Sequence, residues 1–246
     1  MRKALTLGRR ELAGYFFSPM AYVLGAGVLL VTAGIFFFGF ELIGIKKIFV
    51  PGNEASLKPL FEAMAYIMVF AAPLLTMRLL SEEFDSGTIE TLMTSPVTDS
   101  EGIVGKFLGV LGFYAALLAA TGVFLALMIA YGQPDVGVAV MGYAGMLLLG
   151  AAYLAVGVFT STLTRYQLVA AIIAIAILSI LAILMQQLVV LGPAPLSYVA
   201  SRLNVMTYFK DFARGVFDTR GLIFFLTLAG LFLFLSVKSL ESRRWR

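Results

Sequence analysis

Along this chain the apolar residues gather into long charge-free blocks separated by short polar ones. A helix needs about 20 mostly apolar residues to cross a hydrocarbon core about 30 Å thick. Six blocks meet that length, at about 20–40, 60–80, 107–131, 137–160, 167–191 and 221–238. In the second, only Ala63 to Met77 is free of charge, so Leu60, Phe61, Leu79 and Leu80 must complete it, and Pro73 predicts a kink. The run from Tyr166 to Ser201 is too long for one crossing, and Gly192, Pro193 and Pro195 mark the end of the fifth helix. No stretch remains for a soluble domain, so residues 1–246 read as one all-α, polytopic membrane domain.

Shorter polar elements frame these spans. At about 100° per residue, Ala4, Leu5, Gly8, Leu12, Tyr15 and Phe16 share one side of an N-terminal helix, and Arg2, Lys3, Arg9 and Arg10 the other. This predicts a helix in the membrane interface around Arg9, Arg10, Glu11 and Leu12, or else a basic flank that sets topology. The apolar run that follows is about 20 residues long with no small-residue cleavage site after it, so it reads as a span rather than a signal peptide.

Between the second and third spans lies "RLLSEEFDSGTIETLMTSPVTDSEGIVGK", carrying Glu82, Glu83, Asp85, Glu90, Asp99 and Glu101. Gly87 permits a sharp change of direction. The segment "TIETLMTSP" predicts about two helical turns, with Ile89, Leu92 and Met93 on one face and Pro96 ending them. Those three side chains either rest on the bilayer or neighbouring helices, or meet a partner; the acids beside them argue against an anionic lipid surface and for a protein. Thr98 and Glu101 have the spacing of a capping box that would start the next helix. Gly105 and Gly109 suit a close helix approach. After the fifth span, Leu196, Val199, Leu203 and Met206 form a stripe with Arg202, Lys210, Asp211 and Arg214 outside it, which predicts one or two amphipathic helices at the outer surface.

Composition narrows the chemistry. The chain is 61% hydrophobic and 13% charged, against about a quarter charged in soluble domains. Histidine and cysteine are absent, which removes thiolate metal sites and every imidazole acid/base scheme. No span core carries an acid, which argues against an intramembrane transferase needing a metal or phosphate site. The nearest approach to a phosphate-binding loop, "GIVGKF" at Gly102 to Phe107, has the wrong glycine spacing and no hydroxyl after Lys106. The net charge of +4 is dispersed among apolar segments, so nucleic acid is not an expected partner. Gln186 and Gln187 sit at membrane depth in the fifth span, where an amide lines a path or bonds a neighbouring helix.

The bases give an orientation. With both termini in the cytoplasm, eleven of the Lys and Arg residues fall on the inner side and seven on the outer. The acidic segment is then cytoplasmic.

The stretches "RRELAGYFFSPMAYVL" at Arg9 to Leu24, "RLLSEEFDSGTIETLMTSPVTDSEGIVGKFLG" at Arg78 to Gly109 and "FKDFARGVFDTRGLIFFL" at Phe209 to Leu226 resemble the ABC type-2 permease family, the membrane subunits of bacterial ABC exporters. They look most similar to the branch of gliding-motility permeases and permeases of nitrous oxide reductase maturation. The resemblance implies six spans, an N-terminal interface helix, and a short cytoplasmic coupling helix that docks on a separate ATPase. Carried onto this chain, Glu82 and Glu83 match the family's acidic pair, Gly87, Thr88 and Glu90 its G-T-x-E motif, and Glu101 and Lys106 its E-x-x-x-x-K motif, with Ile89, Leu92 and Met93 as the apolar anchors of coupling. No residue is implied to be catalytic. ATP and Mg would be bound by the partner ATPase and no cofactor by this chain. The other implied partners are a second permease, identical or homologous, the lipid bilayer of the bacterial inner membrane, and in some assemblies an accessory periplasmic or membrane protein. A noncatalytic channel or scaffold subunit is the alternative.

The topology is open to direct test. Reporter tags at either terminus and after Ser95 should read as cytoplasmic and one after Asp135 as external; an external signal at Ser95 would overturn the orientation.

Overall fold

A computed structural model of the chain describes residues 2–39, 57–87, 98–132 and 134–244, and all regular structure among them is helical. Helix α1, Arg2–Phe17, precedes the first membrane helix, α2, Pro19–Phe38. The second is α3, Lys58–Thr76, continued by α4, Arg78–Asp85, and the third is α5, Asp99–Ala120, continued by α6, Gly122–Tyr131. The fourth is α7, Val136–Leu163. The fifth comprises α8, Gln167–Ser179, a π-helical turn, Ile180–Leu184, and α9, Met185–Leu191. Two short helices, α10, Ala194–Leu203, and α11, Val205–Ala213, lead to the sixth, α12, Thr219–Arg244. Among the described residues six helices are thus long and apolar enough to cross a membrane.

Local chemistry sets the helix starts. Pro19 occupies the first turn of α2, where a missing N–H costs nothing. Thr98 and Glu101 close a capping box, so α5 begins at Asp99, well before the charge-free block. Asp135 accepts hydrogen bonds from the backbone N–H groups of Gly137 and Val138 and starts α7. Asn204 does the same for Met206 at the joint between α10 and α11. Pro73 lies inside the second membrane helix, and the α-helical pattern is interrupted four residues later at Met77.

The second and fourth membrane helices form the middle of the bundle. The most apolar window of each is 72% buried, whereas no other exceeds 33%, so the remaining four surround them. Along α7, four glycines receive side chains from its neighbours: Gly142 faces Phe61, Gly145 faces Phe212, Gly150 faces Tyr114 and Gly157 faces Thr76. A Cβ at any of them would overlap the incoming group.

Two apolar stripes read from the sequence divide between the bundle and the surface. In α1, Ala4 and Gly8 face the bundle with Leu12 and Tyr15 against it, but Leu5 and Phe16 are exposed. In the segment after the fifth helix, Leu196, Val199 and Leu203 point outward, and the buried positions are Ala200 on α10 and Val205, Met206, Phe209, Phe212 and Ala213 on α11. The break at Asn204 separates what would otherwise be one stripe into two faces.

Helix α1 lies along the start of α5 at backbone contact. A Cβ on Gly109 would stand 2.6 Å from Glu11 Cβ and 3.2 Å from both Gly8 O and Leu12 N. Gly105 meets Leu7 and the Ala4 carbonyl in the same way. Gly109→Ala should therefore lose about 1–3 kcal/mol of stability to overpacking, despite the roughly 1 kcal/mol gain in helix propensity. Gly230→Ala, where a Cβ meets nothing within 4 Å, should be neutral or stabilising. Thermal unfolding of the two purified variants in detergent checks the contrast, and equal behaviour would contradict the close seam.

Candidate functional site

The Gly105–Gly109 seam carries Lys106 between its two glycines, and this forces the ammonium into the junction of three helices. Lys106 is 3% exposed. Its Nζ donates to Glu83 Oε1 at 2.7 Å and to Glu11 Oε1 at 3.1 Å. Glu11 belongs to α1, Glu83 to α4 and Lys106 to α5, so one cation ties the N-terminal helix to the ends of the second and third membrane helices. An isolated ammonium would be very costly here; two carboxylates make its burial tolerable.

Neighbouring groups reinforce the junction. Tyr15 donates its hydroxyl to Leu75 O at 2.6 Å, just before the irregularity at Met77. Burial, aided by the Glu11 charge and opposed by Arg78, pushes the Tyr15 phenol well above its usual range, so it stays protonated and remains a donor. Its ring stacks on Phe113 of α5 with centroids 5.2 Å apart. One turn before Glu82, Arg78 pairs with it at 3.2 Å, and the Arg78 Nη1 meets Met20 Sδ. A cleft of about 340 Å³ opens between α1, the start of α2 and the end of the second membrane helix, reaching inward to Lys106.

The residues singled out in the sequence fall in different places. Glu83 and Glu11 join at Lys106, and Glu82 lies beside them on Arg78. Leu12 packs against Gly112 of α5, while Arg9 and Arg10 are exposed. Gly87 has φ +71°, with nothing among the described residues near its Cβ position, and that backbone direction favours glycine there. Glu101 is engaged in the capping box. Thr88, Ile89, Glu90, Leu92 and Met93 lie outside the described residues. Gln186 accepts a hydrogen bond from Asn204 Nδ2 at 2.8 Å, and Gln187 is exposed. The joining of Lys106 to Glu11 and Glu83 is what sequence reasoning missed. Its signal was a lone lysine between two helix-contact glycines, a position where a charge must find partners on the opposing helix.

Residues 26–216 match the profile of a family described as ABC-2 family transporter protein. No curated protein matches the sequence significantly. The matched range contains Glu83 and Lys106 but not Glu11.

Removing Lys106 alone leaves two carboxylates facing each other. Lys106→Met should cost on the order of 2 kcal/mol, less than the roughly 3–5 kcal/mol of a fully buried pair because each carboxylate side chain is 26% exposed. Adding Glu11→Gln and Glu83→Gln should recover most of that loss. A mutant cycle on thermal unfolding reads this, and additive losses would show that the three charges act separately.

Proposed function

The chain belongs to the ABC-2 transporter family, and from that premise we propose that it is the membrane-spanning permease subunit of an ATP-driven exporter, energised by a separate ABC ATPase. The family match over residues 26–216 carries this reading. Six apolar helices and the family together make it a membrane protein and a transporter component. The resemblance favours a bacterial inner-membrane placement, and the bias of the bases supports both termini in the cytoplasm. A second permease, identical or homologous, completes the transport path in this reading, and the sequence resemblance favours the branch of gliding-motility and nitrous oxide reductase maturation permeases.

In this reading residues 88–97 form the contact with the ATPase. Both ends of that stretch are held: Glu83 is fixed on Lys106 five residues before it, and the capping box fixes Thr98 immediately after it. A displacement of the loop by the ATPase would then pass into the second and third membrane helices, and through Lys106 to α1. A small apolar contact ringed by charges suits such docking, since the apolar anchors supply affinity and the charges fix register.

Leu92→Asp places an unpaired charge in that contact. It should abolish copurification with the ATPase and transport, and Glu90→Lys should weaken both, with normal amounts of either variant in the membrane. Retention of ATPase and transport by both variants would refute the coupling role.

A further inference from the structure

The cleft beside Lys106 has an order to its lining that coupling does not use. Ala21, Leu24, Leu74 and Leu75 form its apolar end, and Arg78, Glu82, Glu83 and Glu11 its charged end. The first helix enters the membrane from Ser18 toward Leu24, while the second leaves it from Leu74 toward Glu83, so one wall changes from apolar to polar and the other from apolar to charged in the same direction. A cleft at the end of two membrane helices that grades this way matches an amphiphile entering from the lipid. Its volume of about 340 Å³ is at the small end for ligand sites, room for a headgroup and glycerol with the acyl chains outside.

The charges specify the headgroup. Lys106 is consumed by Glu11 and Glu83 and has no exposed face to offer. Arg78 is different: Nε and Nη2 reach Glu82, but its side chain is 39% exposed, and Nη1 is met by a thioether sulfur, a weak acceptor that a phosphate oxygen would readily replace. Against two cations the lining sets three carboxylates, and Glu83 Oε2 is buried without a hydrogen-bond partner. Glu11 and Glu82 keep exposed side-chain surface. The surplus of acceptors asks for a donor-bearing cation, and the guanidinium asks for an anion a short distance away.

We propose that this cleft binds the headgroup of a zwitterionic aminophospholipid, its phosphate on Arg78 and its primary ammonium on Glu82 and Glu11. A trimethylated headgroup has no N–H to donate and is held elsewhere by cages of aromatic rings; here, among the described residues, Tyr15 alone of the aromatics lines the cleft, its ring already stacked on Phe113. An anionic lipid without an amine would bring its charge against the carboxylate excess. The site therefore selects phosphatidylethanolamine over phosphatidylcholine and phosphatidylglycerol. The selection does not depend on transport.

Native mass spectrometry of the full chain in detergent, with equimolar dioleoyl forms of these three lipids, tests it. The ethanolamine lipid should be bound about tenfold more than the other two, the difference a charge-assisted hydrogen bond makes. Glu82→Gln should reduce that preference toward equality, while Arg78→Ala, which removes the phosphate contact, and Leu24→Trp, which fills the apolar end, should reduce ethanolamine-lipid binding itself, each with its melting transition retained. Equal binding of ethanolamine and choline lipids, enrichment of the glycerol lipid, or unchanged selectivity and binding in folded variants would each overturn the site. Should Arg78→Ala fail to fold, Leu24→Trp and Glu82→Gln decide by the same readout.

Discussion

A buried ammonium cannot be left to solvent, and the packing around Lys106 is arranged to meet that requirement. The glycines on either side allow α1 to approach α5 at backbone distance, which brings Glu11 within reach, while α4 supplies Glu83 from the other flank. Because both carboxylates keep some contact with water, the ionic group sits at the boundary between bundle and interface rather than in the apolar interior. Such an arrangement contributes modest stability but strong geometric definition, since the cation is satisfied only when three separate helices are in register.

Elsewhere the bundle meets its polar groups locally. Thr32, Thr76 and Ser236 each return a hydroxyl proton to the carbonyl four residues earlier, so these side chains lie among apolar neighbours without needing partners on another helix. Among the described residues the longer-range bonds fall in two kinds of place: Tyr15 on Leu75 and Tyr143 on Thr121 lie beside breaks in a membrane helix, whereas Tyr114 on Met146 joins two regular helices.

The six membrane helices and the capping box at Thr98 were legible in the sequence because each follows from a rule local in the chain: apolar length in one case, a three-residue spacing in the other. The buried faces of α1 and α10 were not. A helical wheel groups the apolar residues on one side without saying which of them meet the bundle: Leu5 and Phe16 on α1 and Leu196, Val199 and Leu203 on α10 lie outside while Ala4, Gly8 and Ala200 lie inside. In lipid a leucine gains little by leaving the surface, so the close contacts go to small residues, and size replaces hydrophobicity as the guide to burial. Gly105 and Gly109 already carried that message. The pairing of Lys106 with two acids distant in sequence required the fold itself.

The π-helical turn at Ile180–Leu184 divides the fifth membrane helix between two sets of neighbours. Residues four apart in an α-helix drift by about 40° around the axis, so Ala174, Leu178, Ala182 and Gln186 would spread over a third of the circumference in a regular helix. The wider turn subtracts much of that drift, leaving Ala174, Leu178 and Ala182 buried and Gln186 facing Asn204. Ahead of the turn the helix takes its rotation from the second and fourth membrane helices; beyond it the reference is the joint between α10 and α11. One surplus residue in a hydrogen-bonded turn thus works as a gear between two phases, allowing a single continuous helix to keep time with the central helices at one end and with the α10–α11 joint at the other.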